Sequence, residues 1–131
     1  MEQKIINPWT WQDRAGFSQA IETTGAQSVL YCAGQTSVTE DGKPLHTENM
    51  EAQILQALDN LETVLKSAGY SLSNVVRLNY YTTNVDYFLS CYQSAIARLQ
   101  QANCRPASTL LGVERLAYPA LMIEIEATAV K

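Results

Sequence analysis

Two glutamates near the C-terminal end of the sequence are the first candidates for chemistry. Glu124 and Glu126 lie two residues apart within the apolar stretch 121–130, and on a β-strand this spacing sends both side chains to the same face. A carboxylate among apolar neighbours is costly to bury unless it is paired or transfers a proton. The pattern indicates either an acid–base group or a paired carboxylate, and for Glu126 it favours the solvated or ion-paired role.

A second candidate is the segment 105–113, RPASTLLGV, which combines one cation with two hydroxyl side chains ahead of an apolar run. Arg105 and Ser108 are three residues apart, so strand alternation directs them to opposite faces. Pro106 also restricts the backbone between them. We therefore expect Arg105 to be a rim or structural charge.

Few residues offer nucleophilic or metal chemistry. His46 is the only histidine, and the three cysteines, Cys32, Cys91 and Cys104, have no CxxC spacing, so the sequence predicts no zinc site and three reduced thiols. The charge of Arg105 could lower the pKa of Cys104, but no partner base is identifiable. We expect neither a metal nor a cofactor.

The strands that position these residues are predicted from β-branched and apolar runs. Residues 4–6, 17–23 and 28–33 are predicted strands, and the last two are expected to form a hairpin around Gly25. Residues 75–82 alternate, so one side should carry Val76, Leu78 and Tyr80, and the other Val75, Arg77, Asn79 and Tyr81. Two further strands are predicted at 107–113 and 121–130.

Two helices are predicted from apolar residues that recur at spacings of three and four. The first runs from Asn49 towards Gly69, a suitable stop, and the second has Thr83 or Asn84 as its N-cap. The buried face of the second helix is expected to contain Val85, Phe88, Leu89, Tyr92, Ile96 and Leu99. The order of elements predicts one α+β domain over residues 1–131, a mixed sheet of about six strands with both helices on one face.

The composition excludes several classes of partner. The chain has 131 residues and a formal net charge of −4, which argues against binding to nucleic acid or to an anionic membrane. No leader or membrane span is recognisable, so we expect a cytoplasmic protein. Only 17% of the residues are charged, fewer than the roughly 25% that is usual, so part of the surface is expected to be subunit interface.

Five segments of the sequence resemble one known family. Residues 16–20, GFSQA, are similar to its GPYSQA start, and residues 33–35, AGQ, to its SGQ turn. Residues 57–69 resemble its first helix, residues 106–109, PAST, its PAR(S/T) strand, and residues 124–127, EIEA, its EIEA ending. The match covers nearly the whole chain in the right order. The sequence therefore resembles the Rid family, also called the YjgF family and once labelled L-PSP endoribonuclease.

The resemblance implies a chorismate-mutase-like fold, assembled as a homotrimer with clefts at the subunit boundaries. In such clefts reactive enamines or imines, such as 2-aminoacrylate, are hydrolysed to a keto acid and ammonia without a metal or cofactor. By this resemblance Glu124 positions the water. The ligand-binding residues it implies are Phe17, Gly34, Gln35, Tyr92, Ser108 and Thr109.

This sequence departs from the family at the residue that grips the substrate carboxylate, because Ser108 stands where the family has arginine. Loss of a bidentate guanidinium removes about 3 kcal/mol, which is over a hundredfold in binding or rate. Phe17 replaces a tyrosine, Ala33 a serine and Tyr92 a common asparagine, so the cleft is less polar. Arg14, which precedes Phe17, is a candidate to supply a charge instead.

The leading interpretation is a homotrimer that hydrolyses a small reactive imine, enamine or related carbonyl compound lacking an α-carboxylate. The alternative is a non-catalytic trimer that binds a metabolite or another protein. Ribonuclease activity, which the older label suggests, fits an acidic chain without a basic groove poorly.

Overall fold

The computed structural model describes residues 1–131 as an α+β arrangement of two helices and six strands. The strands are β1 (Glu2–Ile6), β2 (Ala20–Thr24), β3 (Val29–Thr36), β4 (Val75–Thr82), β5 (Ala107–Gly112) and β6 (Ile123–Val130), and the helices are α1 (Met50–Ser67) and α2 (Val85–Gln101). Short 3₁₀ turns occupy Trp11–Ala15 and Leu72–Asn74. The predicted fold class is confirmed.

Four strands form a mixed sheet in the order β3-β6-β4-β5. β6 pairs antiparallel with both β3 and β4, whereas β4 and β5 are parallel and are connected through α2, as parallel neighbours require. β6 therefore lies inside the sheet. Its alternate residues Ile123, Ile125, Ala127 and Ala129 are almost completely buried.

The predicted hairpin between residues 17–23 and 28–33 is wrong. The turn forms, with Gly25 at φ 74°, but β2 pairs with β1 in a separate two-stranded sheet and β3 pairs with β6. β2 contains no buried residue, whereas β3 buries Cys32 in the core. Pairing with β6 places β3 in the sheet that the helices cover, so that its apolar side chains are removed from water. This gain in buried apolar surface decides the pairing.

Both helices pack on one face of the four-stranded sheet. One apolar cluster joins residues of α1, such as Leu58 and Leu61, with Phe88 and Leu99 of α2 and with Leu78 of β4. The helix ends follow the sequence signals. Asn49 and Asn84 each cap a helix with their side chains, and α1 ends just before Gly69, which has φ 79°.

At two places the side chains point to a different side of the sheet or helix than predicted. A register shift between Val75 and Arg77 turns Val75 towards the core, where it is 4% exposed, while Val76 is half-buried. Leu89, predicted on the buried face of α2, is 52% exposed. Ala95, which was not predicted to be buried, is buried instead. The face of α2 that packs on the sheet is therefore narrower than the set of apolar residues predicted from the sequence.

The opposite face of the sheet carries polar side chains and no helix. Residues of β4 and β6 that alternate with the buried ones point there: Arg77, Asn79, Tyr81, Glu124, Glu126 and Thr128. Tyr31 of β3 extends this face and is 79% exposed. We call it the open face. The subunit contact that the sequence predicts on this face stays a prediction.

Candidate functional site

A cavity of about 220 Å³ lies between α2, the strands β4 and β5, and the turn that precedes β2. Its lining residues are Ala15, Phe17, Tyr80, Phe88, Leu89, Tyr92, Ser108 and Leu110. We call it the aromatic cavity. It brings together Phe17, Tyr92 and Ser108, three of the residues singled out in the sequence.

Three rings form one side of the aromatic cavity. The centroid of Tyr80 lies 5.2 Å from that of Phe88 and 5.6 Å from that of Tyr92, in tilted and edge-to-face arrangements. The Tyr92 hydroxyl donates a hydrogen bond to the carbonyl of Ala15 at 3.1 Å. Burial raises the pKa of Tyr92, and that of Tyr80 well above its ordinary value, so both phenols stay protonated at neutral pH.

The aromatic cavity contains no charged side chain. Its one aliphatic hydroxyl, that of Ser108, reaches the Pro106 carbonyl only at 3.5 Å, a weak interaction that leaves it free for a ligand. A carboxylate that entered would lose its water without gaining a counterion, which is unfavourable. The cavity is therefore suited to an uncharged molecule.

Arg105 lies outside the aromatic cavity and has a structural role, which confirms the sequence-based expectation. Its Nε donates to the Phe17 carbonyl at 3.1 Å, and its guanidinium pairs with Asp13. Ser18 completes the connection by donating through Oγ to the Arg105 carbonyl at 2.6 Å. These contacts hold the turn before β2 against β5, and so position Phe17. Arg14 is exposed, forms no ion pair and does not line the cavity.

Substitution Arg105→Ala is expected to lower the free energy of unfolding by about 1–2 kcal/mol, because it removes one charge-assisted hydrogen bond and a half-exposed ion pair. Urea denaturation at matched protein concentration measures this loss. The control is Arg14→Ala, where a change within about 0.5 kcal/mol is expected. Equal stability of the two variants would contradict the structural role of Arg105.

Glu124 lies on the open face against Gly34 of β3. A Cβ atom built on Gly34 would come within 2.6 Å of the Glu124 carboxylate, so the carboxylate occupies space that only glycine leaves free. Gln35 pairs in register with Ile125 and borders a shallow cavity beside α1, with Asn60. Gly34 is thus the residue of the AGQ segment that leaves room for the Glu124 carboxylate.

Glu126 is held by hydrogen bonds rather than by an ion pair. The Tyr81 hydroxyl and the Asn79 amide, at 3.1 Å, both donate to its Oε1. The bond from Tyr81, followed by that from Asn79, lowers the pKa of Glu126. Arg77 instead donates to the Thr109 hydroxyl at 2.9 Å. Within one chain Glu126 is therefore an acceptor of hydrogen bonds from neutral donors, and the ion pair that was one of the two roles favoured by the sequence does not form.

The consecutive residues Ser108 and Thr109 face opposite sides of the sheet. Ser108 is in register with the buried Leu78 and lines the aromatic cavity, whereas Thr109 is in register with Asn79 on the open face. Glu124 shares the open face with Thr109. Within one chain, the carboxylate and the aromatic cavity are on opposite sides of the sheet.

One residue of the site, Tyr80, was not recognised from the sequence. Tyr80 lines the aromatic cavity, but its alternation with Leu78 signalled only that it would be buried. Cys104 is buried beneath β4, and desolvation raises its pKa to about 12, so its thiol is unreactive and the suggested lowering by Arg105 is wrong. No three His, Cys, Asp or Glu side chains are grouped to hold a metal, and neither helix could span a membrane.

The fold and the placement of these residues define a class of small α+β proteins, and solved structures of that class match this chain. The Rid family protein YyfB of Yersinia pestis, described as of unknown function, superposes with a TM-score of 0.89 at 35% identity over all of both chains. The YjgF gene product of E. coli gives a TM-score of 0.71 at 26% identity, over 88% of this chain and 87% of the other.

Sequence comparison identifies the family itself. Residues 11–131 match the family described as Endoribonuclease L-PSP. A RutC family protein of Aquifex aeolicus is 30% identical over 116 residues, 88% of each chain. The chain belongs to the Rid family, the group also known by the names RutC and YjgF, and the family resemblance seen in its sequence is confirmed.

Proposed function

We propose that this protein is a homotrimer with clefts between its subunits, and that each cleft hydrolyses a small reactive imine, enamine or related carbonyl compound lacking an α-carboxylate. The observation that carries the proposal is the division of the site within one chain. Ser108 lines an uncharged aromatic cavity, and Glu124 lies on the other side of the sheet. A cleft that contains both needs the carboxylate of a neighbouring subunit, which a symmetric assembly supplies at every contact.

In the proposed reaction the aromatic cavity holds the organic part of the substrate. Glu124 accepts a proton from water as the water oxygen bonds to the carbon of the imine, or of the imine tautomer of an enamine, and passes this proton to the nitrogen. As the resulting carbinolamine collapses, Glu124 transfers the hydroxyl proton to the nitrogen, the C–N bond breaks, and a carbonyl compound and ammonia or an amine are released. Such general-base assistance typically contributes about 10²–10⁴ in rate. The reaction as proposed uses no metal or cofactor.

The other predicted residues have supporting roles in the proposal. Ser108 donates a hydrogen bond to the substrate from within the aromatic cavity, and Phe17 and Tyr92 enclose it. Gly34 and Thr109 accompany Glu124, and we keep Gln35 and Arg14 as candidate contacts at the rim. The free cysteines fit a reducing compartment, so we propose a cytoplasmic location.

A non-catalytic binding trimer is the second candidate, and one observation favours it. The aromatic cavity is formed within a single chain, so it could bind a metabolite without the help of Glu124. This candidate predicts that a ligand raises the melting temperature equally in wild type and in Glu124→Gln, with no turnover in either. An RNA-cleaving activity has little support, because the net charge is −4 and the cavity has no cation.

The test uses purified protein and imines generated in situ by an amine oxidase, with carbonyl release compared with spontaneous hydrolysis. We expect acceleration of at least about tenfold for an imine without a carboxylate, a modest part of what a general base contributes. Light scattering should give the mass of three chains. If the protein accelerates the hydrolysis of none of the imines tested, the enzymatic proposal is wrong. If light scattering gives the mass of one chain, the proposed cleft between subunits does not exist.

A further inference from the structure

The polar side chains that line the aromatic cavity leave a ligand one hydroxyl to bond with. The Tyr80 hydroxyl is fully buried beside that of Tyr92, so a ligand in the cavity meets only the ring of Tyr80. The Tyr92 hydroxyl already donates its proton to the Ala15 carbonyl at 3.1 Å. Ser108, whose Oγ reaches the Pro106 carbonyl only at 3.5 Å, is therefore the one lining side chain with a free donor.

A single free donor limits the number of polar atoms that a ligand can carry into the cavity. One carbonyl oxygen or imine nitrogen can accept a hydrogen bond from Ser108. A second polar atom would lose its water and find no side chain to bond with, which is unfavourable. Because the other lining side chains present hydrocarbon or ring surface, the rest of the ligand must be hydrocarbon.

The volume of the aromatic cavity sets the size of this hydrocarbon. An apolar cavity of about 150 Å³ holds benzene, and the aromatic cavity has a volume of about 220 Å³. A six-membered ring with a carbonyl group therefore occupies most of the space. A much smaller ketone would leave part of the cavity empty and lose the dispersion contacts with its walls.

Leu89 lies at the opening of the aromatic cavity. It lines the cavity from α2 and is 52% exposed, whereas the preceding residue, Phe88, also lines the cavity and is 1% exposed. A side chain that borders both the cavity and the solvent marks the place where they meet. The width of the opening therefore depends on the size of the side chain at position 89.

We infer that Leu89 is a specificity-determining residue, and that the ligand is an uncharged carbonyl or imine compound with one polar atom on a hydrocarbon body about the size of a six-membered ring. Ser108 bonds to the polar atom, and Leu89 limits the substituents that the body can carry. This inference rests on the proposal that the aromatic cavity binds the substrate. It adds to that proposal a size limit, a polarity limit and the residue that sets the size.

The polarity limit is tested with cyclohexanone and tetrahydropyran-4-one, a ring of the same size in which an ether oxygen replaces one CH₂ group. Dissociation constants are measured by NMR titration. Wild type should bind tetrahydropyran-4-one at least about threefold more weakly, because the ether oxygen loses its water without gaining a partner. Ser108→Ala should weaken the binding of cyclohexanone by about threefold to tenfold. Equal affinities for the two ketones, an unchanged affinity in Ser108→Ala, or no binding of cyclohexanone would each overturn the inference.

The size limit is tested with 4-tert-butylcyclohexanone, whose substituent has to pass the opening. Leu89→Ala should increase the affinity for this ketone relative to cyclohexanone by at least about fivefold, because it relieves the overpacking against the leucine. The matched control is Leu111→Ala, since Leu111 is 50% exposed but does not line the cavity, and it should leave the ratio of affinities unchanged. The inference is wrong if Leu89→Ala and wild type give the same ratio.

Two further measurements separate this inference from a subunit contact and from the proposed reaction. Light scattering of Leu89→Ala should give the same mass as wild type. A smaller mass together with an unchanged ratio of affinities would show that Leu89 serves a subunit contact, and the inference would be wrong. Binding of cyclohexanone without turnover of any imine would remove only the proposed reaction, and imine turnover without the Leu89 effect would remove only this inference.

Discussion

Glu124→Gln is expected to slow imine hydrolysis by at least about a hundredfold, the lower end of what a general base contributes. Glutamine has the same size and keeps a hydrogen-bonding group, but it cannot accept the proton that water loses. The measurement is the rate of carbonyl release at saturating imine, with circular dichroism to establish that the fold is unchanged.

Two further variants make the Glu124 prediction specific. Glu126→Gln changes the neighbouring carboxylate on the same face, which only accepts hydrogen bonds from Tyr81 and Asn79, and should retain most of the activity. Gly34→Ala puts a methyl group where the Glu124 carboxylate lies, so it should move that flexible side chain and reduce the rate by about tenfold or more with little loss of stability. Equal rates for Glu124→Gln and Glu126→Gln would show that Glu124 is not the base.

Ser108→Arg should reverse the preference between substrates with and without a carboxylate, changing the ratio of kcat/KM values by more than about a hundredfold. The guanidinium would enter an uncharged cavity and pair with a substrate carboxylate through two hydrogen bonds. Assays with 2-aminoacrylate and with a carboxylate-free imine give the ratio for wild type and variant.

The unliganded Ser108→Arg protein should also be less stable than wild type, because the new cation has no partner in the cavity. A substrate carboxylate should restore part of this stability, which thermal melting measures. Ser108→Met, which introduces a long side chain without charge, controls for the cavity volume that a longer side chain fills. It should not shift the ratio of kcat/KM values towards the substrate with a carboxylate. An unchanged substrate ratio in Ser108→Arg would mean that residue 108 does not contact the substrate.

Local signals in the sequence predicted the elements well. The helical spacing, the Asn49 cap and the Gly69 stop predicted α1 to within about two residues, because a helix is closed by its own hydrogen bonds. The partner of β3 was not predicted, because strand pairing depends on burial against segments about a hundred residues away. The inward turn of Val75 depends on a one-residue bulge that no residue type announces.

The candidate site was predicted in part for the same reason. The expected separation of Arg105 from Ser108 is observed, but strand alternation is not its cause, because Arg105 precedes β5 and is placed by its contacts with Asp13 and the Phe17 carbonyl. The sequence could not indicate that Ser108 and Glu124 lie on opposite sides of one sheet, because that depends on the order of β4, β5 and β6.

The placement of Ser108 and Thr109 on opposite sides of β5 limits how this protein can diverge. One residue inserted into or deleted from the short link between α2 and β5 would shift the pairing of β5 by one position. Each side chain of β5 would then turn to the other side of the sheet, so Ser108 would leave the aromatic cavity and Thr109 would leave the open face. The anchoring of Arg105 to the preceding turn resists such a shift. New ligand preferences can therefore arise by replacing side chains along this strand, whereas a change in the length of the link would disturb both sides of the sheet at once.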